Sequence, residues 1–166
     1  SCDSMQIYKY MNIGTAKPTK EEMDGIPHHM IDFVDPRENY SVADYVRDAK
    51  ECIDDILSRG KMPIVCGGTG LYMDSLIGGI EFQDEKFDEE YRAELTAFAE
   101  KEGVAALHKI LEEADSEAAG KIHPNNVKRV IRALEIIKST GLTKTESDRR
   151  AVKASGYDAE IFGLDM

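Results

Sequence analysis

The chain has 166 residues and a mass of 18.5 kDa, and 42% of its residues are hydrophobic. That is enough apolar material for one ordinary domain with a real core, and it excludes global disorder. The balance of 21 Lys and Arg against 32 Asp and Glu, a net charge of −11, excludes a protein that coats DNA by bulk positive charge.

The chain opens with Asp3-Ser4-Met5-Gln6-Ile7-Tyr8, then Asn12-Ile13-Gly14-Thr15-Ala16-Lys17-Pro18. A carboxylate and a hydroxyl beside an expected strand end suit proton transfer or metal binding. Lys17 is a point charge that could meet a phosphate. The adjacent pair His28-His29 is a poor metal pair, because neighbours in sequence point to different sides, and a structural role is expected.

Ser41 to Arg59 is the clearest helix. Ser41 is a good N-cap with Asp44 three residues on; Val42, Val46, Ala49, Ile53, Ile56 and Leu57 recur at helical spacing, and Gly60 stops the run. Met62-Pro-Ile-Val-Cys66 reads as a short buried strand, and Leu71 to Ile77 as a helix. Between them Gly67-Gly68-Thr69-Gly70 marks a strand-to-helix turn, where backbone N–H groups can approach a phosphate or a base. The order belongs to α/β proteins with a parallel sheet.

Beyond Gly79 the pattern turns helical: Asp88–Lys101, Val104–Glu113 and Asn126–Ser139, punctuated by Gly103 and Gly141. Ala159 to Leu164 reads as a strand returning to the sheet. The expected organisation is an α/β core over 1–80, an inserted helical segment over 81–150, and a return to the core over 151–166. From Asp84 to Glu117 there are twelve acidic and four basic residues; from Lys121 to Lys153, nine basic and three acidic. The reversal suggests either a localised partner for the second segment or a solvated helix face. Lys128, Arg129 and Arg132 lie within one turn near a helix start, where side chains and helix dipole both attract phosphate.

Cys2, Cys52 and Cys66 form no CxxC, so reduced thiols are expected. No apolar run approaches the roughly 20 residues of a membrane span, and no basic-then-apolar leader opens the chain. No membrane partner and a cytoplasmic location are expected.

Six segments in order resemble the tRNA dimethylallyltransferase (tRNA isopentenyltransferase) family: Asp3–Tyr8, Gly14–Thr19, Pro27–Asp32, Tyr40–Tyr45, Gly67–Tyr72 and Ile122–Glu135. The resemblance implies a P-loop-NTPase-like parallel-sheet core with an inserted all-helical tRNA-binding segment. It implies transfer of a dimethylallyl group from dimethylallyl diphosphate to the exocyclic amine of the adenosine beside the anticodon, with the base flipped from its stack. By the same resemblance Asp3 accepts the amine proton and Thr69 shares the catalytic site. Asp3, Ser4, Met5 and Gln6 meet the flipped nucleotide. Thr69, Arg92, Lys128, Arg129, Val130, Ile131 and Arg132 meet tRNA; position 128 is Lys where the family commonly has Gln. Ser4 is the candidate Mg²⁺ ligand, and Lys17 the candidate diphosphate contact. tRNA and dimethylallyl diphosphate are the implied partners, and DNA is not. Nucleotide-binding, ATP-type phosphate chemistry in the family resides in a Walker A loop, GxxxxGK[ST], and this sequence contains none. The chain therefore reads as a middle fragment, expected to be inactive alone and prone to self-association. Two other readings are a prenyltransferase acting on free adenine nucleotides and a noncatalytic tRNA-binding module.

Overall fold

The computed structural model describes residues 1–80, 88–151 and 156–163. Residues 81–87, where the helical segment was expected to begin, lie outside the described residues. So do Lys153, the end of the basic stretch, and Leu164, the end of the expected returning strand. The chain divides into two compact units: residues 1–81 with 153–166, and residues 82–152.

In the first unit, α1 (Val42–Ser58) and α2 (Gly70–Ile77) pack on each other. The Ser41 hydroxyl accepts from the Asp44 amide while the Asp44 carboxylate accepts from Ser41, so two orphan donors of the first turn are satisfied reciprocally. The apolar stripe of α1 buries Tyr45, Val46, Ala49 and Ile53 with Cys2, Met30, Tyr72 and Leu76. Tyr45 and Tyr72 stack with ring centroids 4.0 Å apart. Burial pushes the Tyr45 hydroxyl and the Cys2 thiol above their ordinary pKa values, so both stay neutral in this core.

The expected buried strands are corrected here. Among the described residues neither 62–66 nor 159–163 forms a strand. Met62 and Ile64 are 85% and 84% exposed, and Ile161 and Phe162 are likewise exposed. An apolar run becomes a strand only when a neighbour completes its ladder. Segment 62–66 has one such link, from the Cys2 amide to the Cys66 carbonyl at 2.7 Å. Elsewhere in this unit an isolated parallel bridge pairs Tyr8 with Val34.

The second unit is helical: α3 (Glu89–Glu102), α4 (Val104–Ala114), α5 (Ser116–Lys121), α6 (Val127–Thr140) and α7 (Lys144–Ala151). Its core gathers Leu95, Leu107, Leu111, Ala118, Ile122, Val130, Ile131 and Leu134. Asp88 caps α3 by accepting from the Tyr91 amide, and Asn126 caps α6 through the Arg129 amide. Gly141 ends α6 at φ 68°, a left-handed conformation that favours glycine. Asp115 caps α5 and also accepts from the backbone amide and hydroxyl of Thr145, tying α5 to α7. Among the described residues no helix is long and apolar enough to cross a membrane.

Candidate active site and nucleic-acid interface

The glycine turn and the opening segment meet through backbone contacts. The Cys2 amide donates to the Cys66 carbonyl, and the Thr69 amide returns a bond to the Cys2 carbonyl at 3.1 Å. Gly67 makes this approach possible, because a Cβ there would lie 2.3 Å from the Cys2 carbonyl oxygen. No side chain but hydrogen fits, so the first glycine of the turn serves chain-to-chain packing. Gly68 and Gly70 face open space.

This contact brings Thr69 against Ser4. The Ser4 amide donates to Thr69 Oγ1 at 2.9 Å, and the two hydroxyl oxygens are 3.3 Å apart. Asp3 lies between Cys2 and Ser4. Its Oδ1 accepts from the amides of Met5 at 2.7 Å and Gln6 at 3.2 Å. Such a local turn fixes the carboxylate against its own backbone. Asp3, Ser4 and Thr69 are all half-buried, and Met5 is exposed. The Ser4 and Thr69 hydroxyls are thus linked to each other, and Asp3 precedes Ser4 in the chain.

The half-buried Gln6 side chain is engaged within the chain. Its amide nitrogen donates to the carbonyls of Thr15 and Ala16, and its oxygen accepts from the Ser1 hydroxyl. Lys17 is similarly occupied: Nζ donates to the Tyr8 carbonyl at 2.6 Å and to Asp32 Oδ1 at 2.7 Å, and its side chain is only 6% exposed. The ammonium is therefore a clamp within the loop. That loop passes through left-handed conformations at Ala16 (φ 48°), Met30 (φ 62°) and Asp32 (φ 60°), which non-glycine residues adopt only when held. Gln6 supplies a contact to the Ala16 carbonyl, and Lys17 one to the Asp32 carboxylate.

Among the described residues no group of three or more His, Cys, Asp or Glu is placed to hold a metal ion. The Ser4 hydroxyl, the candidate Mg²⁺ ligand, is hydrogen-bonded to Thr69.

In the helical unit the stretch 128–132 divides by helical phase. Val130 is fully buried and Ile131 nearly so, both in the core, so their side chains cannot meet a nucleic acid. Lys128 and Arg129 are exposed, and Arg132 is half-buried. Arg92, in the first turn of α3, forms a two-point ion pair with Glu135 of α6: Nε to Oε1 and Nη2 to Oε2, each 2.7 Å. Lys138 pairs with Asp88 at 2.9 Å and lies 3.9 Å from the Tyr91 ring centroid. The Lys138 ammonium holds the Asp88 carboxyl below its usual range. Sequence reasoning did not single out Glu135. The one available signal was an acidic residue among the apolar positions of α6, flanked by Leu134 and Ile136.

The chain belongs to the IPP transferase family, whose model matches residues 6–166. Over 99% of its length it is 56% identical to the tRNA dimethylallyltransferase of Caldanaerobacter subterraneus subsp. tengcongensis, covering 53% of that protein. It is similar to the crystal structure of the tRNA isopentenylpyrophosphate transferase of Bacillus halodurans, with 55% identity and a TM-score of 0.50 over 84% of this chain and 46% of the other. It is also similar to a eukaryotic dimethylallyltransferase acting on tRNA, with 32% identity and a TM-score of 0.69 over 92% of this chain and 39% of the other. The chain spans about half the length of the curated relatives it matches.

Proposed function

We propose that this chain carries the proton-accepting and tRNA-facing part of a cytoplasmic tRNA dimethylallyltransferase. The observation that carries this reading is the bond from Ser4, the neighbour of Asp3 in the chain, to Thr69 of the glycine turn, in a chain of the IPP transferase family. The exocyclic amine of an adenosine attacks the allylic carbon of dimethylallyl diphosphate. A C–N bond forms, the C–O bond to diphosphate breaks, and diphosphate leaves with the electron pair. The amine proton passes to Asp3. Thr69 and Ser4 orient the base beside that carboxylate. Lys128, Arg129, Arg132 and Arg92 supply phosphate contacts in the helical unit. Lys17 acts on the diphosphate only indirectly, by shaping the loop around Gln6.

The fold proposed is a P-loop-like parallel core with the helical unit inserted. The parallel Tyr8–Val34 bridge and the Cys2–Cys66 link support it. The test is transfer of label from dimethylallyl diphosphate to unmodified tRNA, by a protein of the relatives' full length that carries these residues, compared with its Asp3→Asn form. Labelled tRNA that requires Asp3 supports the reading. Labelling of AMP with tRNA untouched replaces it with the free-nucleotide reading, and tRNA binding without turnover replaces it with a binding module.

A further inference from the structure

Glu135 is a carboxylate where α6 otherwise presents core residues. It is 5% exposed, flanked by buried Leu134 and Ile136. Placing a charge there for stability alone is a poor bargain, since a well-packed apolar residue in place of a buried ion pair is often neutral or stabilising. What the carboxylate does instead is geometric. It grips Arg92 by the Nε–Nη2 edge through both oxygens, which fixes the plane and the direction of the guanidinium. One of those oxygens, Oε2, also lies 3.9 Å from Arg132 Nη1. Two guanidinium groups from two helices are therefore gathered around a single carboxylate oxygen. The two arginine side chains remain 48% and 37% exposed while the carboxylate between them is buried.

An unanchored surface arginine samples many rotamers and loses that freedom on meeting a ligand. An arginine held by a buried fork has lost it already. We propose that Glu135 is the positioning residue of the RNA-facing surface: it sets Arg92 and Arg132 side by side to receive a phosphodiester of tRNA. The proposal rests on the reading of the helical unit as tRNA-binding. It assigns Glu135 no contact with RNA.

Charge and position make opposite demands, which allows a decisive test. Glu135→Gln removes a negative charge beside two cations. If Glu135 only neutralised them, the change would tighten RNA binding. If it positions them, binding weakens although the surface has become more positive. A protein of the relatives' full length that carries these residues is titrated with unmodified bulk tRNA at several salt concentrations, with thermal unfolding recorded for each variant.

Glu135→Gln is expected to weaken binding about three- to tenfold and to make the salt dependence shallower, because less well-placed arginines displace fewer counterions. Arg92→Lys keeps the charge but loses the fork, and is expected to lose a similar factor. Arg92→Ala added to Glu135→Gln should then cost little more, as for residues acting as one unit. Tighter binding, or unchanged affinity with only a lower unfolding temperature, overturns the proposal. If Glu135→Gln does not fold, Arg92→Lys decides: unchanged affinity there overturns it equally. A parent chain that binds no tRNA is a different result, which removes the tRNA reading of the unit and this inference with it.

Discussion

The backbone amide of Ser4 donates to the side-chain oxygen of Thr69 at 2.9 Å, across 65 positions of sequence. Both groups are partly buried, and the bond holds the Asp3 segment to the glycine turn. Thr69→Val keeps the shape of the side chain and removes the acceptor. It is expected to cost about 1–3 kcal/mol, the range for a buried donor left unsatisfied. Thr69→Ser should restore most of it. Denaturant midpoints for the three proteins check this. Equal midpoints for Val and Ser would mean that the hydroxyl contributes nothing.

Asp3 is expected to act on rate rather than binding. In a protein of the relatives' full length, Asp3→Ala should lower prenyl transfer about 10²–10⁴-fold, the usual range for a general base. Asp3→Asn should do the same while still accepting from the Met5 and Gln6 amides through its oxygen. Affinity for tRNA should change little. Turnover within about threefold of the parent would remove Asp3 as proton acceptor.

Lys128 and Arg129 are exposed on the first turn of α6, at the positive end of the helix dipole. Replacing both with Ala should weaken tRNA binding across all sequences and reduce the slope of log affinity against log salt by up to about 1 for each lost phosphate contact. An identical slope would leave them as a solvated face. Val130→Ala, by contrast, should lower stability without altering the slope, because that side chain is core.

Asp115 makes stability depend on acid. Burial works against its charged form, but bonds from the Ala118 amide, the Thr145 amide and the Thr145 hydroxyl outweigh it, and its pKa is held below the ordinary 3.8. The contribution is fully present above the unfolded carboxyl's pKa, near 3.9, and is lost as pH falls through the lower folded value. Asp115→Asn should therefore cost about 1–3 kcal/mol at pH 6, and the gap to the parent should narrow below about pH 4. Unfolding free energies at pH 6 and at acid pH check this. A gap that is constant with pH would mean that the charge is not what stabilises.

Met62, Ile64, Ile161 and Phe162 expose apolar side chains that a soluble surface seldom carries together in one unit. The 166-residue chain is expected to self-associate with rising concentration, and Ile64→Lys to reduce the effect. Light scattering across a concentration series measures it. A monomer that persists at all concentrations would show that these residues are too scattered to form a patch.

The helices were legible because their determinants are local. Ser41, Asp88 and Asn126 each accept an amide three residues ahead, and Gly141 supplies the left-handed residue that ends α6. Every such contact lies within one turn, so the order of residues suffices to write it. The Asp3 segment and the glycine turn were legible as chemistry, residue by residue. Their meeting was not, since it depends on the close approach at Gly67, where a Cβ would lie 2.3 Å from the Cys2 carbonyl oxygen. The strands were misjudged for the same reason: Met62–Cys66 has strand composition, but a ladder is a property of two segments. Lys17 read as a free charge until Asp32 and the Tyr8 carbonyl closed on it. Arg92 and Glu135 stand 43 positions apart, and only the packing of α3 on α6 puts one against the other. Short-range hydrogen bonds are written along the chain, whereas long-range pairs follow from how apolar faces pack, and the placement of the candidate site is of the second kind.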